Sequence, residues 1–169
     1  DDDEIEGIFC KTLSSFGKEP EKSLTDTIKK KAHSNNPLYL SLLVQRLNMM
    51  VKKDFDTIKK MADEEHYNDA STLYKNRLIN ACPDDLNAMC RHILDTASEQ
   101  IGGKTAQLIV QYIAASRYGL RQSDLEHIFQ ERYKYWNSLS FAQFYQYMRN
   151  LFIIREDGRY DFSHLSIRD

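Results

Sequence analysis

The stretch Phe152-Ile153-Ile154-Arg155-Glu156-Asp157-Gly158-Arg159-Tyr160-Asp161-Phe162 decides how this chain is to be read. Two runs rich in aromatic and β-branched residues flank Asp157-Gly158, and a two-residue Asp-Gly between such runs is the strongest short-range hairpin signal. Just upstream the period changes to that of a helix. Phe141, Phe144, Tyr145, Met148 and Leu151 share one helical face, as do Leu125, Ile128 and Phe129 after Ser123, and Leu108, Ile109, Tyr112 and Ile113 after Gly102-Gly103. Three helices followed by a two-stranded hairpin is the order of a winged helix.

The rest of the chain is helical in pattern. Pro83-Asp84-Asp85 opens a helix whose inner face is Leu86, Met89, Ile93, Leu94 and Ala97, and a helix of moderate strength precedes it from about Tyr67 to Leu78. Leu40, Leu43, Val44 and Leu47 form a strong apolar stripe. Asn35-Asn36-Pro37 introduces it, since proline in a first turn sacrifices no hydrogen bond and Asn can cap the helix that follows. Phe55, Ile58 and Met61 mark a short further helix. Leu24 and Ile28 mark another, capped by Ser23 or Thr25 and ending in Lys29-Lys30-Lys31, which reads as a solvated helix end whose charge complements the dipole. Ile8, Leu13 and Phe16 begin the chain, with Gly17 as a helix stop. The polar, acidic stretch Asp63–Asp69 reads as a linker. The expected fold is therefore mainly α: a helical module over residues 1–65, then a winged-helix-like domain with a small C-terminal β-hairpin over 66–169.

Composition narrows the function classes. A chain of 169 residues with 41% hydrophobic and 28% charged side chains can bury a core in one domain or two small ones. A net charge of −2 supplies no basic field for nucleic acid or anionic lipid. No apolar run approaches the roughly 20 residues that span a bilayer, and Asp1-Asp2-Asp3-Glu4 is the reverse of a signal peptide's positive start. Three cysteines without paired spacing suit a reducing compartment, so a cytoplasmic protein is expected.

Signals for catalysis are absent from the pattern. Gly102-Gly103-Lys104-Thr105 resembles the tail of a phosphate-binding loop, but Ser98 stands where that motif needs its first glycine, and the residues before it read as helix rather than strand. A helix-to-helix turn is expected there. Cys82, Cys90 and His92 lack the short paired spacing of zinc ligands, and His33, His66 and His127 read as surface histidines. No serine or cysteine has a nucleophile's context. Two places stand out instead. Pro37 opens a strongly apolar helix, and His164 follows a strand at or just inside the start of a helix through Ser163–Ile167, where an imidazole could add a donor toward phosphate.

With their spacing, these places resemble the NACHT-type branch of the STAND ATPases, the signal-transduction ATPases with numerous domains. Asn36-Pro37-Leu38-Tyr39-Leu40 is similar to the motif that begins that family's helical lid. Ile113 to Leu125, containing Ser116-Arg117-Tyr118-Gly119-Leu120, resembles the opening of its winged helix, and Phe162-Ser163-His164 resembles the closing motif. The likeness covers about residues 20–169.

The resemblance implies an ADP/ATP-dependent signalling switch in which Pro37 packs on the adenine and His164 reaches the phosphates of ADP to hold the inactive state. It gives Arg117 no ligand role. It implies that the phosphate- and magnesium-binding strands lie before residue 1, in an upstream P-loop domain of a longer chain. The whole protein would then be a slow ATPase that signals by oligomerising with protein partners. This segment alone is expected to hold no nucleotide, no metal and no nucleic acid, and to have no membrane contact. The alternatives are a winged-helix DNA-binding module or a protein-interaction module without nucleotide. The DNA reading needs a basic third helix, and Phe141–Leu151 offers only Arg149.

Overall fold

The computed structural model describes residues 2–14, 21–31, 33–62 and 66–164. In chain order the elements are α1 (Asp2–Ser14), α2 (Lys22–Lys29), α3 (Pro37–Asn48), α4 (Lys52–Met61), α5 (Tyr67–Ala81), α6 (Leu86–Ile101), α7 (Gly103–Ala115), α8 (Gln122–Tyr133), α9 (Ser138–Met148), β1 (Phe152–Ile154) and β2 (Tyr160–Phe162). The fold is mainly helical with a small C-terminal antiparallel sheet, as the periodicity predicts. The expected stop at Gly17, part of the acidic stretch after Asp63 and the helix expected beyond His164 lie outside the described residues. No described helix is long and apolar enough to cross a membrane.

Two compact units divide the chain, Asp1–His92 and Ile93–Asp169. The division falls later than the boundary near residue 65 expected from the acidic stretch. The reason is that α5 packs against α2, α3 and α4 and so completes the first unit.

In that unit α3 is central. Tyr39, Leu40, Leu42, Leu43, Val44 and Leu47 are all buried, so the helix is covered nearly all round rather than along one stripe. Each buried Leu contributes about 1.5–3 kcal/mol relative to an exposed one. Asn36 starts the helix: its Oδ1 accepts from the Leu38 and Tyr39 amides at 2.9 and 3.2 Å, and Pro37 occupies the first turn, where its missing N–H is no loss. Asp54 has two tasks. One carboxylate oxygen accepts the Val51 amide at the start of α4, and the other accepts the Tyr74 hydroxyl of α5.

The lysine run departs from its expected solvated role at one position. Lys31 is 9% exposed, and its ammonium donates to the Cys82 carbonyl at 2.7 Å, just past the end of α5. A long stem lets it reach a neighbouring helix's unpaired carbonyls, which sequence position alone does not reveal.

In the second unit β1 and β2 pair antiparallel, Phe152 opposite Phe162 and Ile154 opposite Tyr160. The connection is not the expected two-residue turn. Gly158 N donates to Arg155 O and Arg155 N to Arg159 O, both at 2.8 Å, so the loop is Glu156-Asp157-Gly158, with only Gly158 at positive φ (80°). A type I turn closed by a left-handed glycine asks nothing unusual of Asp157, whereas the two-residue type would force it to positive φ. A third segment, unforeseen in the pattern, joins the sheet. Leu120 and Tyr160 exchange backbone hydrogen bonds of 3.1 and 2.8 Å, which puts β2 between Leu120 and β1. Helix, bridge, helix, helix and hairpin is the full winged-helix order.

Aromatic rings fill the space between these elements. Phe129 touches Tyr112, Tyr133 and Trp136; Trp136 touches Phe141; and Phe141 meets Tyr160 edge-on at 5.1 Å. Phe144, Phe152 and Phe162 continue the stack beneath the hairpin. Asp161, 4% exposed, is satisfied by the Arg155 guanidinium and the Phe162 amide.

Candidate functional site

Pro37 is exposed, although the residues around it are held firmly. Behind it the Asn36 cap fixes the first turn, and Tyr39, wholly buried, donates its hydroxyl to the Pro83 carbonyl at 2.7 Å. Burial, aided by the charges of Asp84 and Cys82, pushes the Tyr39 phenol well above its ordinary range, so it stays a neutral donor. The exposed His33 ring lies 6.0 Å from that of Tyr39. The corner thus offers an apolar pyrrolidine ring on a stiff mount.

His164 is also exposed, immediately beyond a fixed strand end. Phe162 is buried against Phe152, the Ser163 amide donates to Leu151 O at 2.9 Å, and the Ser163 hydroxyl donates to Asn150 O at 3.2 Å. The backbone is therefore anchored up to the residue before the imidazole. The helix expected from Ser163 onward lies largely outside the described residues, and 163–164 form a bend. Pro37 belongs to the first unit and His164 to the second.

The segment from Ser116 to Leu120 has a structural function that its motif alone did not reveal. Ser116 Oγ donates to the Gly119 carbonyl at 2.7 Å, Gly119 takes φ 78°, and Leu120 bridges to β2. Arg117 stacks over the Tyr118 ring at 5.2 Å, and Arg121 Nε donates to the Asp157 carbonyl at the tip of the wing at 3.0 Å.

Gly102-Gly103 is a helix-to-helix turn, with Gly102 at φ 95° closing α6 through its amide to Ser98 O. Helices stand on both sides of it. Asp95 and Glu99 border the turn and oppose phosphate there. Among the described residues no group of three or more His, Cys, Asp or Glu could hold a metal ion.

A cleft of about 550 Å³ in the first unit was not foreseen; Leu24, Leu47, Met50, Phe55 and Tyr67 supply its apolar wall, and Glu21 and Lys75 its charged side. These residues come from four separate helices or their edges, so no local pattern announces it. On the second unit the exposed face of α9 carries Leu139, Ala142, Gln143 and Gln146 and no lysine or arginine.

No family model, curated protein or solved structure matches the chain.

Proposed function

We propose that this chain is the helical lid and winged helix of an ADP/ATP-gated signalling switch, closing over a nucleotide held mainly by a P-loop domain elsewhere in a longer polypeptide. One observation carries the reading. Pro37 and His164, the two residues that the resemblance assigns to nucleotide, are exposed, while the residues that mount each of them are buried or hydrogen-bonded. Exposure makes both rings accessible to a ligand, which a covered ring would not be.

The residues suit the parts of a nucleotide in kind. The pyrrolidine ring of Pro37 offers an apolar face to a purine, and the His164 imidazole offers a donor to phosphate oxygen. Neither can replace the phosphate cradle, which requires amides on a glycine loop and a magnesium site. The P-loop domain with its magnesium supplies the phosphoryl chemistry. This chain senses whether ADP or ATP is present, and a nucleotide shifts such a switch only through different affinities for its two states.

The DNA-binding alternative is weakened by the α9 face, since phosphate contacts need several cations.

The test is the release of a fluorescent ADP from the full-length polypeptide, chased with unlabelled nucleotide. His164→Ala is expected to speed release about tenfold, the loss of one charge-assisted hydrogen bond. An unchanged rate removes His164 from the role.

A further inference from the structure

We infer that Lys31 and Tyr39 form a clamp that ties the start of α6 to the Pro37 corner, so that a contact made at Pro37 is passed to α6. The inference rests on the proposed nucleotide reading for its trigger, but the clamp is a matter of geometry. Residues 82–85 connect α5 to α6, and the two side chains hold groups from the last turn of α5 through Asp84 of that connection. Lys31 Nζ donates to Cys82 O at 2.7 Å and to Asn80 O at 3.5 Å, and pairs with Asp84 Oδ1 at 3.0 Å. Tyr39 Oη donates to Pro83 O at 2.7 Å.

These contacts differ in weight. Asp84 is 59% exposed, and water screens its ion pair with Lys31. The carbonyl contacts count for more. The Lys31 side chain is 8% exposed, and an ammonium removed from water must find acceptors in the protein. The last carbonyls of α5 have no helical partner and carry the negative end of its dipole, so cation and helix end satisfy each other. Tyr39 is fully buried, and its hydroxyl serves the carbonyl of a residue that has no N–H of its own.

Position along the chain makes this a coupling device rather than a routine contact. Lys31 and Tyr39 flank Asn36-Pro37 in a single short segment, so whatever displaces the proline corner pulls on both donors. The groups they hold end at Asp84, two residues before α6 begins at Leu86. α6 runs on to Ile101 and past the division between the two units at 92/93. A corner read by nucleotide is thus tied by two hydrogen bonds and an ion pair to the connection that leads into α6, and by a third hydrogen bond to the last turn of α5.

Hydrogen–deuterium exchange tests the clamp in this chain and its transmission in the full-length polypeptide. In the chain alone, Tyr39→Phe keeps the ring and Lys31→Met keeps the stem. Each is expected to raise exchange of residues 82–92 about tenfold while α3 and α4 hold their protection. Unchanged exchange in 82–92, or an equal rise everywhere, overturns the clamp. In the full-length polypeptide ADP is expected to slow exchange in both 37–44 and 82–92, and in Tyr39→Phe only in 37–44. Equal slowing of 82–92 in that variant overturns the transmission. If ADP leaves 37–44 untouched in the wild type, the nucleotide reading and the transmission fall together, and the first measurement alone decides the clamp.

Discussion

Gly119 passes so close to Tyr160 that a Cβ built on it would stand 2.3 Å from the Tyr160 carbonyl oxygen. The approach lets Leu120 bridge to β2 and turns a two-stranded hairpin into a three-segment sheet. Gly119→Ala is therefore expected to lose about 2–4 kcal/mol, from the positive φ and from the displaced strand together. Gly158, at φ 80° with nothing near its missing Cβ, is the control, and Gly158→Ala should lose only about 1 kcal/mol. Urea unfolding followed by tyrosine and tryptophan fluorescence checks both, and equal losses would refute the close-approach account.

The Asn36 cap is expected to be worth about 1 kcal/mol, because Asn36→Ala leaves the Leu38 and Tyr39 amides without their acceptor. Asn36→Asp should retain most of it. Denaturant midpoints for the two variants distinguish a side-chain cap from a position that merely tolerates Asn.

Acid should weaken the first unit through Glu21. Burial alone would raise its pKa, but hydrogen bonds from Lys75 and Thr72 and the Lys75 charge bring it below the ordinary 4.5. A carboxylate depressed in the folded state stabilises fully above its unfolded pKa, and that share is lost as pH falls through the folded value. Glu21→Gln should thus be less stable than the wild type at neutral pH, the gap narrowing below pH 4.5. Midpoints measured down the acid limb check the narrowing, and a constant gap would exclude titration of Glu21.

Thiol labelling at pH 8 should spare two cysteines. Burial, with the Asp85 charge, pushes Cys90 up to about 11, and burial also raises Cys82, which is 3% exposed. Since the thiolate is the nucleophile, both should react slowly with iodoacetamide until the chain is unfolded. Mass spectrometry of native and urea-treated samples gives the comparison; rapid native labelling of Cys90 would contradict its environment.

Much of this fold is legible in the residues. The stripe Leu40, Leu43, Val44, Leu47 and the opening Asn36-Pro37 define α3 because a helix's own period and its cap are local properties. The hairpin is equally local, although its loop has three residues where two were expected, since Gly158 alone supplies the left-handed position. Lys31 shows where such reading stops. Three consecutive lysines resemble a solvated helix end, and only the packing of α5 beside α2 turns the third toward Cys82 and Asn80. The apolar cleft near Phe55 and Tyr67 likewise exists only once separate helices meet.

The sequence by itself determined the helices, the Asn36 cap and the hairpin, because periodicity and turn chemistry act within a few residues. The cap expected at Ser23 or Thr25 is corrected by the structure: both lie inside α2, whose N-cap is Glu21 without a side-chain hydrogen bond. Pro37 and His164 were singled out for nucleotide by the resemblance. The tertiary structure alone decided that α5 closes the first unit, that Leu120 joins the sheet over Gly119, and that Pro37 and His164 are exposed on anchored backbone. Those outcomes depend on which surfaces bury one another across tens of residues, and no local pattern encodes that choice.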